Sequence, residues 1–65
     1  MTVRYFPDTD TLLVSFSDRE VAETRDLTAD VLVEFDEQGR LVSMTIEHAT
    51  QQMDAKEFTY QLATT

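Results

Sequence analysis

Alternation of apolar and polar side chains, repeated in three separate runs, constrains this chain more than any other feature. In TLLVSFS, Leu12, Val14 and Phe16 share one face, and Thr11, Ser15 and Ser17 share the other with Leu13. In DVLVEFD, Val31, Val33 and Phe35 alternate with Asp30, Leu32, Glu34 and Asp36. In LVSMTIE, Val42, Met44 and Ile46 alternate with Ser43, Thr45 and Glu47. A period of two belongs to half-buried strands, whose successive side chains point to opposite faces. TVRYF adds a fourth strand through Val3 and Tyr5. EVAETRDL is weaker and more polar, and Val21 to Leu27 reads as an edge strand whose charges discourage unwanted pairing. The expected fold is mainly β, with α+β as its variant: a small antiparallel meander sheet of four to six strands with at most one short helix. Residues 1–65 form one domain, without linker, repeat or low-complexity tract.

The only glycine, Gly39, marks a turn between two of these runs. Residues opposite one another in an antiparallel pair share a face. The core positions are odd before the turn and even after it, so the loop has an even number of residues. A three-residue loop fits only with a bulge downstream. A two-residue loop, Gln38-Gly39, would force Gln38 to positive φ. The expectation is therefore a four-residue loop, Asp36 to Gly39, with Gly39 left-handed. The same arithmetic sets Phe6 opposite Thr11 across PDTD, where Pro7 suits a type I turn and Asp8 and Asp10 bond nearby backbone N–H groups. Toward the C-terminus, Thr50 is a candidate N-cap for a short helical turn near Gln51–Asp54, followed by a strand at about Glu57–Ala63. A single helix from Gln51 to Leu62 is the alternative. Either carries Met53, Phe58 and Leu62 over the apolar face of this chain or of a second subunit.

Sixty-five residues bury only ~60% of the surface of the unfolded chain. Small domains of this kind are commonly stapled by disulfides, metals or a partner chain. The chain has no cysteine and one histidine, so self-association is the staple left, and a homodimer is expected. The expected buried set is Phe16, Val33, Phe35, Met44 and Ile46, with Phe58 and Leu62 from the tail. Thirteen Asp and Glu oppose five Lys and Arg, a net charge of -8. The cations are scattered, which disfavours nucleic acid, since phosphate binding needs grouped Lys and Arg. An acidic surface suits solubility or a basic protein partner. The start MTVRYFPD carries no signal-peptide pattern, and no apolar run approaches the ~20 residues that span a membrane. A cytoplasmic location is the expectation.

No pattern in the chain assigns a catalytic, cofactor-binding or metal-ligating residue. PDTDT begins like a calcium loop, but Leu12 and Leu13 stand where an oxygen ligand and a glycine are needed. His48 lies beside Glu47, yet adjacent strand residues face opposite ways, and no Ser or Thr is marked as its nucleophile. Phosphate loops, zinc-protease helices and nucleophile elbows are missing from the sequence.

Three segments, FPDTDTLLVSFS, DREVAETRDL and FDEQGRLVSMTIEHAT, resemble in order the bacterial family called domain of unknown function 2283. Its members run YDPETDTLYI, VAETREL and DxDxxGxxVGIEIEHAS. The resemblance spans roughly Tyr5 to Thr50, with VAETR and IEHA together its most specific parts. Ser43 stands where the family often has Gly, and Thr50 where it often has Ser. Some members are encoded beside small toxin-like proteins, so the resemblance implies an antitoxin-like or other binding role. The expected function is a self-associating protein-interaction module toward a basic partner. The alternatives are a small enzyme using His48 and nearby carboxylates, and a structural domain without a ligand. A basic incoming strand is expected at the Val21 to Leu27 edge, among Asp18, Glu20, Glu23, Asp26, Asp30, Glu34, Asp36 and Glu37.

Overall fold

The computed structural model of the protein describes residues 1–52. Five strands, β1 (Thr2–Phe6), β2 (Thr11–Ser15), β3 (Glu23–Asp26), β4 (Val31–Phe35) and β5 (Leu41–Glu47), form one open antiparallel sheet, and a single turn of helix, α1 (Ala49–Gln52), follows. The mainly β expectation holds. The spatial order is β1-β2-β5-β4-β3. Consecutive strands pair as hairpins within β1–β2 and within β3–β4–β5, so one connection departs from a pure meander. The chain leaving β2 crosses to the far edge, and β5 then returns to lie between β4 and β2. That arrangement of four strands is a Greek key.

The crossing segment runs along the end of the sheet. Phe16 and Ser17 N–H groups donate to the Val42 carbonyl at 2.8 and 3.2 Å, and Ala22 N–H donates to the Phe35 carbonyl at 2.8 Å. These three backbone N–H groups thus find partners without regular structure.

Alternation placed the apolar face correctly. Val3 pairs with Val14, Tyr5 with Leu12, Leu12 with Ile46, Val14 with Met44, Val31 with Ile46 and Val33 with Met44. Leu12 and Val33 are each 2% exposed, and Val14, Val42 and Ile46 are also buried. Burying an aliphatic side chain of this size contributes about 1.5–3 kcal/mol relative to leaving it in water. Of the expected buried set, Val33 and Ile46 are buried, while Phe16, Phe35 and Met44 are half-buried. Ala49 at the head of α1 is fully buried against Leu12, Val14 and Ile46, and the sequence reading did not include it. The expected strand at Glu57–Ala63 and the covering role of Met53, Phe58 and Leu62 lie outside the described residues.

The first hairpin has the expected register, with Phe6 opposite Thr11 across Pro7–Asp10. The second does not have the expected four-residue loop. Gly39 N–H donates to the Asp36 carbonyl at 3.1 Å, and Asp36 N–H donates to the Arg40 carbonyl at 2.9 Å, which leaves the three residues Glu37 to Gly39 as the loop. Gly39 has φ 80°, as expected of it. This is a type I turn closed by a left-handed residue, a common three-residue hairpin. The parity it breaks is restored by a bulge. Glu34 pairs with Ser43 but Phe35 with Leu41, so Val42 is the extra residue. A bulge inserts one unpaired residue and resets the facing of everything beyond it.

Candidate functional site

Most polar side-chain contacts gather at the two ends of the sheet, and each end is organised around carboxylates. At the end crossed by the β2–β3 connection, Asp36 has a side chain only 7% exposed. Alternation assigned it to the solvent face, but it lies one residue past β4, where the chain turns inward. One oxygen accepts the backbone N–H groups of Gln38 and Arg40, both at 2.9 Å. The other accepts Arg19 Nε at 2.7 Å and Arg40 Nε at 2.8 Å. Arg19 also donates to the Leu41 carbonyl at 3.0 Å. The Arg40 N–H above all, then the Gln38 N–H and the Arg40 guanidinium, outweigh burial and bring the Asp36 carboxyl down to about 2. A carboxylate saturated by four donors has no lone pair aimed at a ligand. Asp36 ties the crossing segment to the β4–β5 turn. The shallow cleft beside it, about 510 Å³, is lined by Arg19, Glu20, Val21 and Glu37 among others.

The opposite end brings together the β1–β2 turn, the β3–β4 turn and the β5–α1 junction. Asp10, at φ 55°, accepts the Tyr5 hydroxyl at 2.7 Å and the Thr50 hydroxyl at 2.8 Å, with the Thr50 N–H at 3.2 Å. Its own carbonyl accepts Ala49 N–H at 3.0 Å. Asp10 was expected to bond its nearest neighbours; it instead caps α1, forty residues away. Thr50, the expected N-cap, is a capped residue inside α1. The Tyr5 hydroxyl, then Thr50, hold the Asp10 carboxyl below the ordinary carboxylate range, and the same bond raises the Tyr5 hydroxyl above its own.

His48 terminates β5 in a left-handed conformation, φ 53°. Its Nδ1 lies 2.9 Å from Asp30 Oδ1, with side chains 59% and 39% exposed. A carboxylate only accepts, so Nδ1 carries the hydrogen and Nε2 is the outward nitrogen. The hydrogen bond to Asp30, reinforced by the charge of Asp30, raises the imidazole above its ordinary value. Sequence reasoning found no partner for His48. Asp30 is that partner, and only the β4–β5 register, which sets Val31 opposite Ile46, could have pointed to it. A recess of about 320 Å³ beside the pair is lined by Asp26, Asp30, Thr45, Glu47 and His48 with Ala29, Val31 and Leu32. Among the described residues no arginine or lysine is in that lining. Histidine oriented by a carboxylate is the base half of a hydrolytic site, but a developing oxyanion would meet carboxylates here. Among the described residues no group of three or more side chains is arranged to hold a metal ion.

The third feature is β3, the outer strand, as expected of Val21 to Leu27. Its four residues are all exposed, and among the described residues its one neighbour is β4. Its single cation, Arg25, is paired with Glu23 and lies over the Phe35 ring at 5.2 Å, turned toward β4. The Arg25 guanidinium holds the Glu23 carboxyl below its ordinary value.

A small antiparallel sheet protein with an acidic outer strand and polar junctions at both ends is the class these features define. Its sequence matches the profile of the protein family of unknown function DUF2283 over residues 2–49, and the chain belongs to that family. No curated protein and no solved structure gives a significant match. Among the described residues no helix is long and apolar enough to cross a membrane.

Proposed function

We propose that the protein is a self-associating interaction module of the cytoplasm that receives a basic, extended segment of a partner protein along β3, in an antitoxin-like role. The observation that carries this reading is the edge itself. Among the described residues β3 is an outer strand, fully exposed, with Glu20 before it and Glu23 and Asp26 in it. An outer strand offers backbone N–H and C=O groups to an incoming strand. Its arginine is already engaged, so the charge left to meet a partner is negative, and the whole chain carries -8. Nucleic acid is repelled by the same charge. Self-association has separate support in the half-buried Val3, Tyr5, Phe16, Val31 and Met44 on the apolar face, which a second copy would cover as a homodimer.

The test is calorimetric titration with extended peptides that alternate Lys or Arg with β-branched residues. Binding is expected at low salt, weakening as salt screens the edge. Converting Glu20, Glu23 and Asp26 to Gln or Asn should abolish it, and unchanged binding after those changes would refute the edge. Sedimentation showing only monomer at micromolar concentration would refute the homodimer. A second reading, a small enzyme with His48 as base, draws on the His48–Asp30 bond. It requires a hundredfold or greater rate loss in His48→Ala, the lower end of what a general base contributes. The three carboxylates lining the recess place it behind the binding reading.

A further inference from the structure

We propose that His48 is a pH-sensitive latch that, when protonated, clamps the β5–α1 junction onto the β3–β4 turn and, when neutral, lets α1 lift from the sheet. The geometry puts His48 between two backbone anchors. Before it, Glu47 N–H donates to the Asp30 carbonyl at 2.7 Å; after it, Ala49 N–H donates to the Asp10 carbonyl at 3.0 Å. Its side chain adds the bond to Asp30, so His48 stands where both turns meet the end of the central strand. Ala49, the next residue, is fully buried in the core, and its depth depends on that junction staying closed.

Among the described residues the charged groups around the imidazole are Asp30 from the β3–β4 turn, Asp10 from the β1–β2 turn, Glu47 from its own strand and Asp26 from β3. All four are carboxylates. The protonated ring is the one cation in that group, and its loss leaves like charges facing one another across the junction. Because the hydrogen bond and the surrounding charge raise the folded value, the latch contributes fully below the ordinary histidine value of 6.5 and is lost as pH rises through the folded value. A strained left-handed backbone at His48 supplies the tendency to spring open.

This chain has one histidine, so its imidazole resonances report the latch directly. The experiment is residue-resolved hydrogen exchange on the full chain near pH 6 and pH 8, corrected for intrinsic base catalysis. The amides of Glu47, Ala49 and Thr50 should open about two- to fivefold more at the higher pH, the range that exposed ion pairs support. His48→Asn tolerates the left-handed backbone and does not titrate there, so its opening should not change with pH. Equal pH dependence in both proteins, or an imidazole that titrates at or below its ordinary value, would overturn the latch. Should His48→Asn fail to fold, Asp30→Asn in the otherwise native chain should lower the imidazole value. An unmoved value would overturn the proposal by a second route.

Discussion

At one end of the sheet Asp36 is held by two arginines and two backbone N–H groups; at the other, Asp10 and Asp30 are held by hydroxyls, a backbone N–H and a histidine. Both ends fasten chain segments distant in sequence, but they fasten them differently. Guanidinium groups keep their charge at any pH a protein meets, so the Asp36 end is permanent. The histidine end changes its charge near neutrality, so it is adjustable. Burial follows the same division: the Asp36 side chain is nearly enclosed, while His48 and Asp30 face solvent. A buried carboxylate demands constant partners, because leaving it unpaired in the protein costs far more than leaving it unpaired in water.

Breaking the permanent end should cost most. Asp36→Ala frees two backbone N–H groups and both arginines, and thermal denaturation followed by circular dichroism should show Tm falling by on the order of 10 °C or more. Gly39→Val strikes the same end through the backbone alone, since a Cβ at Gly39 meets nothing within 4 Å. The left-handed conformation should cost about 1–2 kcal/mol, or about 5–10 °C in a domain this small. Gly39→Asn, better tolerated at positive φ, should recover part of that loss. Asp10→Ala removes the cap of α1 from an exposed site, and a smaller drop of about 3–5 °C is expected in the same measurement.

The smallest effect, and the sharpest separation of the two ends, should come from pH. Asp36 and Asp10 are lowered on folding, so the stability they contribute is present above their ordinary value of 3.8 and is lost as pH falls; for Asp36 the loss is complete only below about 2. His48 is raised, so its contribution is present below 6.5 and is lost as pH rises. Tm of the wild-type chain should therefore be highest between about pH 4 and 6.5, with the alkaline shoulder missing in His48→Asn. An alkaline decline of equal size in that variant would dissolve the distinction between the ends.

Where side chains repeat at a fixed period, the sequence was readable. Leu12, Val14, Val33 and Ile46 all lie on the apolar face that alternation assigned, and the polarity of Glu23 to Asp26 did mark an outer strand. The Phe6–Thr11 register followed from parity in a loop with no bulge beyond it. The same parity misled at Gly39, because an unpaired Val42 leaves no trace in the alternation of Met44 and Ile46. The ends were the least legible. Asp36 reads as an ordinary solvent-facing acid, and its burial depends on Arg19 arriving through an irregular segment. The Asp10–Thr50 contact joins residues far apart in the chain through a β2–β5 pairing that no local pattern encodes, and the Asp30–His48 contact depends on the β4–β5 register that the bulge at Val42 hides.

The central place of β5 has a consequence for how the chain reaches this shape. Among the described residues the hairpin of β1 and β2 and the hairpin of β3 and β4 are not paired with each other; each pairs with β5. Until residues 41–47 leave the ribosome, the first forty residues are two separate two-stranded ribbons, and such ribbons are marginal in water. The five-stranded sheet can therefore assemble only after synthesis has passed β5. The docking of β5 pairs Thr11 with Glu47 and closes the longest loop at the same moment, the kind of non-local step that sets the pace of folding in β proteins.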